Sequence, residues 1–204
     1  MAFFDLLIEA LLSDDGSNKT IAVVPGSFKP PHKGHLAMVK KYAEMADNVV
    51  VIIGAPTKNS QRLTAAGTPI TPEQAKQIFD IYIKDEGLNN VQVITAQTPS
   101  PIKAAYDFIE YELKNANVIL GASLKDDDWK RWERTTKYFA EKNPSIKIID
   151  PQSTAVNIST DDGEAVSASA FRASLDNPDV IDRFLPASVI EKGDKVKILA
   201  ILAT

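Results

Sequence analysis

Short apolar runs alternate with longer amphipathic stretches from Lys19 onward. Ile21–Val24 is a β-branched run that stops at Pro25-Gly26. Asn48–Gly54 reads NVVVIIG, continuously apolar as a strand buried on both faces should be. Val91–Thr95, Asn117–Gly121 and Ile146–Asp150 repeat the theme. Helical stripes lie between these runs. Over His35–Ala46, the residues Leu36, Val39, Tyr42, Ala43 and Ala46 recur at helical spacing. Thr71 before Pro72 and Glu73 reads as an N-cap with proline at the first helical position, and that helix turns Ile78, Ile81 and Tyr82 inward. Pro101–Lys114 carries Ile102, Ala105, Tyr106, Ile109 and Leu113 on one stripe, and the stretch after Asp128 carries Trp129, Trp132 and Phe139. The repeated alternation predicts an α/β fold, a Rossmann-like parallel sheet of about five strands with helices on both faces. Ligands of such sheets sit beyond the carboxyl ends of the strands at the switch point, so the loops after the first and fourth strands carry the most information. The apolar tail KVKILAILAT fits strand and helix alike.

Ahead of this pattern, residues 2–12 read AFFDLLIEALL, with Phe4, Leu7, Ile8 and Leu11 on one helical face, before SDDGSN breaks the periodicity. The chain therefore divides into an N-terminal apolar helical extension, 1–18, and a domain, 19–204. The extension would pack on its own domain, dock onto a partner or form a homo-oligomer contact. Composition narrows the chemistry. With 44% hydrophobic and 25% charged residues the chain can bury a core. A formal net charge of -4 disfavours nucleic acid as a partner, so any anion site must be local. The absence of cysteine excludes disulfides, thiolate zinc sites and cysteine nucleophiles, and two histidines are too few for a histidine-rich metal site. No signal-peptide pattern and no apolar run near the ~18 residues of a membrane span occur, which points to a cytoplasmic location and no membrane.

The loop after the first strand reads PGSFKPPHKGHLAMV and holds both histidines of the chain, His32 and His35, flanking Lys33 and Gly34. Gly26 lets the backbone turn sharply and come close to a ligand. Pro30 and Pro31 stiffen the loop, and His35 opens a helix whose N-terminus offers free N–H groups and a positive dipole end. Two imidazoles and a lysine there make a compact donor cluster, with Gly34 leaving room for a phosphate. Towards the other end, Val166-Ser167-Ala168-Ser169-Ala170-Phe171-Arg172 offers two hydroxyls for a helix cap and an arginine one turn on that can fork onto phosphate oxygens.

These segments resemble the two signatures of the HxGH nucleotidyltransferase superfamily, G-[ST]-F-x-P-x-H-x-G-H and I-S-S-T-x-I-R. Gly26, Ser27, Phe28, Pro30, His32, Gly34 and His35 match the first. The second fits with alanine for one serine and serine for threonine. FKPPHKGHL is especially similar to the archaeal-type nicotinamide mononucleotide adenylyltransferases, although Lys29 stands where many members carry Asp and the archaeal type Gln. The resemblance implies that a substrate phosphate attacks the α-phosphorus of ATP or CTP and pyrophosphate leaves, with Mg²⁺ bound mainly through the nucleotide phosphates and no metal ligands from the protein. It assigns His32, His35 and Arg172 to catalysis, and Gly26, Ser27, Phe28, Lys33, Gly34, Ser167, Ser169 and Phe171 to the nucleotide.

The resemblance implies a small phosphorylated acceptor, with nicotinamide mononucleotide leading. Pantetheine phosphate, a sugar phosphate or a CTP-dependent alcohol phosphate stays open, as does a binding protein that keeps the fold without turnover. Lys29, Lys58, Arg62 and Trp129 are candidates for acceptor contacts. Lys58 and Arg62 belong to the loop after the second strand, whose TPITPEQAKQI resembles an archaeal stretch. GASLKDDDWKRW resembles a bacterial segment whose tryptophan stacks on nicotinamide, but Gly121-Ala122-Ser123 lacks the aspartate of the usual GxD. Asp126, Asp127 and Asp128 read as an acidic first turn of a helix.

Overall fold

The computed structural model describes residues 18–157 and 166–203. The apolar segment 2–12 lies outside the described residues. Five parallel strands form one sheet in the order β3-β2-β1-β4-β5: β1 (Thr20–Gly26), β2 (Asn48–Ile53), β3 (Val91–Thr95), β4 (Ala116–Leu120) and β5 (Ile146–Ile148). β1 pairs on one side with β2, from Ile21 opposite Asn48 to Gly26 opposite Ile53, and on the other with β4, from Thr20 opposite Asn117 to Val23 opposite Leu120. The chain winds outward from β1 to β3 and then returns to β4, so the order reverses between β1 and β4. A crevice opens there because the connections leave in opposite directions.

Successive residues of each strand point to opposite faces, and two cores result. Ala22, Val24, Val49, Val51 and Ile53 face α1 (Lys33–Met45) and α2 (Pro72–Glu86), while Ile21, Val23, Val50 and Ile52 face α3 (Pro101–Tyr111) and α4 (Thr135–Lys142). This two-sided burial is why β2 reads as an unbroken apolar run. α2 begins as its sequence predicts: Thr71 Oγ1 accepts from the Gln74 N–H at 3.1 Å, and Gln74 Oε1 accepts from the Thr71 N–H at 2.8 Å. β5 is shorter than its sequence run, because Asp150 leaves the sheet to cap α5 (Pro151–Thr154), its carboxylate accepting from the Gln152 N–H at 3.2 Å.

Two elements differ from expectation, and a third, open in the sequence, takes one definite form. α1 starts at Lys33 rather than His35, with His32 as its extended N-cap at φ -137° and ψ 172°. Pro30 and Pro31 hold the preceding residues out of the helical region, and the chain turns helical as soon as they are passed. The acidic stretch after β4 forms a 3₁₀-helix, Lys125–Trp132, rather than the first turn of an α-helix. The ambiguous tail is a helix. After α6 (Ala168–Ala173), α7 (Pro178–Ile181) and α8 (Ala187–Glu191), α9 (Lys195–Ala203) buries Ile198 and Leu202 and lies against α2, where Gln74 Nε2 donates to the Ile201 carbonyl at 2.7 Å. Among the described residues no helix is long and apolar enough to cross a membrane.

Candidate active site

A cleft of about 430 Å³ opens at the carboxyl ends of β1 and β4, floored by Pro25, Gly26 and Ser27 and walled by α1, α6 and the 3₁₀-helix. Its shape starts with Gly26. A Cβ at that position would stand 2.4 Å from Phe28 Cζ, so only glycine lets the Phe28 ring fold back over the strand end. Phe28 itself sits at φ 48°, an unusual conformation for an aromatic residue, and is held there by edge-to-face contacts with His35 at 5.0 Å and Phe79 at 5.2 Å. The loop is fixed from below by Tyr82, whose hydroxyl donates to the Pro31 carbonyl at 3.1 Å.

On this platform the two imidazoles stack, with ring centroids 3.7 Å apart and 22° between planes. The His32 N–H donates to His35 Nδ1 at 3.3 Å. That bond makes Nδ1 the acceptor and places the ring proton of His35 on Nε2. His35 lines the cleft, while His32 is buried behind it, its own Nδ1 without a partner among the described residues. Burial lowers the His32 pKa to about 4 and, together with His32, holds that of His35 well below the ordinary imidazole value. Both rings are neutral at pH 7, so they serve as hydrogen-bonding dipoles rather than as cations.

Arg172 brings the far end of the chain to the same place. Its Nη1 donates to the Lys29 carbonyl at 2.6 Å and its Nη2 to Ser169 Oγ at 2.9 Å, so the guanidinium is aimed into the cleft by two fixed partners. Ser167 caps α6, accepting from the Ala170 N–H at 3.1 Å. Arg62 enters from the loop after β2 and is exposed at the cleft rim. On the β4 side, the Asp128 carboxylate accepts from the Ser123 N–H at 3.1 Å and pairs with Arg131 at 2.9 Å, while Arg131 Nη2 donates to the Gly121 carbonyl at 2.7 Å.

The structure thus gathers Gly26, Ser27, Phe28, Lys29, His35, Arg62, Ser169 and Arg172 around one cavity, with His32 immediately behind. Other candidates stand elsewhere. Trp129 is half-buried against the core under α3 and α4 with Lys130 over its ring at 5.7 Å, and Trp132 is fully buried with its indole N–H on the Gly121 carbonyl at 3.2 Å. Neither tryptophan is among the residues that line the cleft. Phe171 is also core, stacked on Phe184 at 5.1 Å. It neighbours Arg172 in sequence but faces another side of α6, since successive helical residues diverge by ~100°. Gly34 and Ser167 act on the backbone, and Lys33 lies on α1 outside the cleft lining. A Cβ at Gly34 would press on His32 at 3.2 Å. The side chain of Lys58 lies outside the described residues. Ser123, Asp128 and Arg131 are cleft residues to which the sequence assigns no ligand role: Ser123 marks a missing aspartate and Asp128 reads as part of an acidic turn. The i, i+3 spacing of Asp128 and Arg131 was the available signal.

The chain matches a family model described as cytidylyltransferase-like over residues 23–173. It is 32% identical over 78 residues to a nicotinamide-nucleotide adenylyltransferase of Ignicoccus hospitalis, covering 38% of this chain and 43% of that protein, so it spans less than half of this relative. It is 26% identical over 171 residues to a phosphopantetheine adenylyltransferase of Vesicomyosocius okutanii, covering 84% of this chain and 94% of that one. The fold is that of the bifunctional NMN adenylyltransferase/ADP ribose pyrophosphatase of Francisella tularensis, with TM-score 0.55, 16% identity and coverage of 91% of this chain and 53% of that chain. A second structure of that protein, with TM-score 0.51, is complexed with AMP and Mn ion.

Proposed function

Because the chain belongs to the cytidylyltransferase-like family, we propose that it is a nucleotidyltransferase that moves AMP from ATP to the phosphate of a small acceptor, nicotinamide mononucleotide in the leading reading, and releases pyrophosphate. One observation carries this proposal. Arg172, 143 positions further along the chain, donates at 2.6 Å to the carbonyl of Lys29 in the loop that holds His35, so both signatures face one cleft.

In the reaction, an oxygen of the acceptor phosphate forms a bond to the α-phosphorus. The bond from that phosphorus to the bridging oxygen breaks, and its electron pair leaves on pyrophosphate. The attacking phosphate is already ionised near neutral pH, so no general base is needed. Catalysis is then alignment plus stabilisation of charge on the phosphoryl oxygens. His35 offers its Nε2–H, Ser169 its hydroxyl and Arg172 its remaining guanidinium donors. Ser27 and the Gly26 backbone shape the floor, and Arg62 is available to the acceptor phosphate. A neutral imidazole suits this role because His35 lines the cleft without repelling Arg172.

Mg²⁺ riding on the phosphate oxygens would neutralise part of the charge of the leaving group. The donor set fits a metal that arrives with the nucleotide: Asp128 is the one carboxylate among the described residues lining the cleft, and it is engaged by Arg131 and Ser123. A phosphopantetheine acceptor is the second reading. It is favoured by the match to the Vesicomyosocius okutanii protein over 84% of this chain and 94% of that one, and by the position of Trp129 and Trp132 outside the cleft lining. Pyrophosphate release from ATP or CTP with each acceptor tests both readings. Turnover with neither acceptor and neither nucleotide would leave a binding protein that only keeps the fold.

A further inference from the structure

Lys29 is an amine in an unusual place. Its residue is 2% exposed, enclosed between the carboxyl ends of β1 and β2, yet it lines the cleft. Its Nζ donates to the Gly54 carbonyl at 2.8 Å. An ammonium has three donors, and among the described residues no second acceptor is bonded to it. A buried cation with unused donors beside an open cleft calls for an anion. The cleft is also asymmetric. Arg172 and Ser169 approach from α6, and Arg131 on the β4 side is already neutralised by Asp128. On the β2 side, Lys29 and the exposed Arg62 form a second cationic corner.

Resting on the proposed nucleotidyl transfer, we infer that Lys29 is a ligand for the acceptor's phosphate and that its ammonium, with Arg62, selects acceptors ending in a dianionic phosphate monoester. In the free protein the side chain parks on Gly54, which holds the amine in place before the acceptor arrives. Only the charged form can do this work, and that makes the subsite sensitive to pH. Burial lowers the Lys29 pKa to about 8, against the attraction of Glu73 in the first turn of α2 and aided by the repulsion of Arg62 from the loop after β2. The other groups facing it are the Arg172 guanidinium on its carbonyl and the neutral His35 of α1. The ammonium is present below pH 8 and is lost above it, so acceptor affinity falls on the alkaline side while triphosphate affinity stays level.

The test compares wild type, Lys29→Gln and Lys29→Arg, with KM for the acceptor and for ATP measured separately from pH 6.5 to 9.5. We expect Lys29→Gln to raise acceptor KM at least tenfold at pH 7 and to abolish the alkaline break. Lys29→Arg should recover much of the affinity and carry the break beyond the range. A change confined to ATP KM, or equal changes in both, overturns the inference. Calorimetric binding of inorganic phosphate to the ligand-free protein supplies an arm that does not need turnover. Weaker phosphate binding in Lys29→Gln and above pH 8 in wild type supports the subsite even if no acceptor is turned over, and unchanged binding overturns it. Should Lys29→Gln fail to fold, the wild-type pH profile and Lys29→Arg still decide the matter.

Discussion

Replacing Gly26 by alanine tests how the cleft floor is built. The new methyl would lie 2.4, 2.7 and 2.8 Å from the Phe28 ring atoms Cζ, Cε2 and Cε1, against the ~3.5–4.0 Å of ordinary carbon contacts. The ring must therefore retreat by about 1 Å. It has no free direction, being wedged against His35 at 5.0 Å and Phe79 at 5.2 Å. Overpacking of this kind costs about 1–3 kcal/mol, and a cost of about 2 kcal/mol is roughly 4–8 °C in Tm for a domain of this size. Because the ring pushes on His35, kcat should fall as well, by up to about 100-fold for a shift near 1 Å. Phe28→Leu alone should cost about 1.5 kcal/mol. The double variant should be more stable than the sum of the singles, by about 1–2 kcal/mol of coupling, since a smaller side chain relieves the clash. Urea denaturation of the four proteins, followed by pyrophosphate release, measures both effects. A Gly26→Ala protein within 0.5 kcal/mol of wild type, or strictly additive singles, would refute the reasoning.

Two further outcomes follow from buried polar groups. Tyr82→Phe removes the 3.1 Å bond to the Pro31 carbonyl, and thermal denaturation should show a loss of about 1–3 kcal/mol from the carbonyl left unpaired. His32 takes up its proton near pH 6.5 when unfolded but only at about 4 when folded. The unfolded state therefore binds more protons between these values, and stability present above pH 6.5 is lost as pH falls towards 4. The loss should reach about 3 kcal/mol, and denaturation curves should show it shrinking in His32→Gln.

Most of the fold is legible in the sequence because burial on two faces leaves a simple mark. Val49–Ile53 is apolar without interruption since its residues alternate between two cores, and Thr71-Pro72 announces α2 by local chemistry alone. The C-terminal α9 is ambiguous because its short run ILAILA has no polar face to betray its period. The site is partly legible. His32, His35 and Arg172 are set by local signatures, and their meeting depends only on the β1/β4 switch that alternation implies. What escapes is direction. Phe171 belongs to a ligand signature but its ring lies in a core, and Trp129, a candidate for the acceptor, packs half-buried beside the fully buried Trp132 outside the cleft lining. Lys29 stands in the sequence as a candidate acceptor contact, but its enclosure is not visible there: after the Phe28 turn at φ 48° the residue is buried and its Nζ reaches the Gly54 carbonyl. Asp128 and Arg131 reach the cleft from a segment that winds as a 3₁₀-helix.

The central claim is that the His35 imidazole and the Arg172 guanidinium act on one polyphosphate. A double-mutant cycle on kcat/KM for ATP, read by pyrophosphate release from wild type, His35→Ala, Arg172→Ala and the double variant, tests it most directly. Each single change should cost about 10²–10³-fold, by the scale of a lost oxyanion donor. The double variant should fall well short of the product of the two, as groups that work as a unit do. Turnover that survives His35→Ala unchanged, or losses that multiply in full, would contradict it.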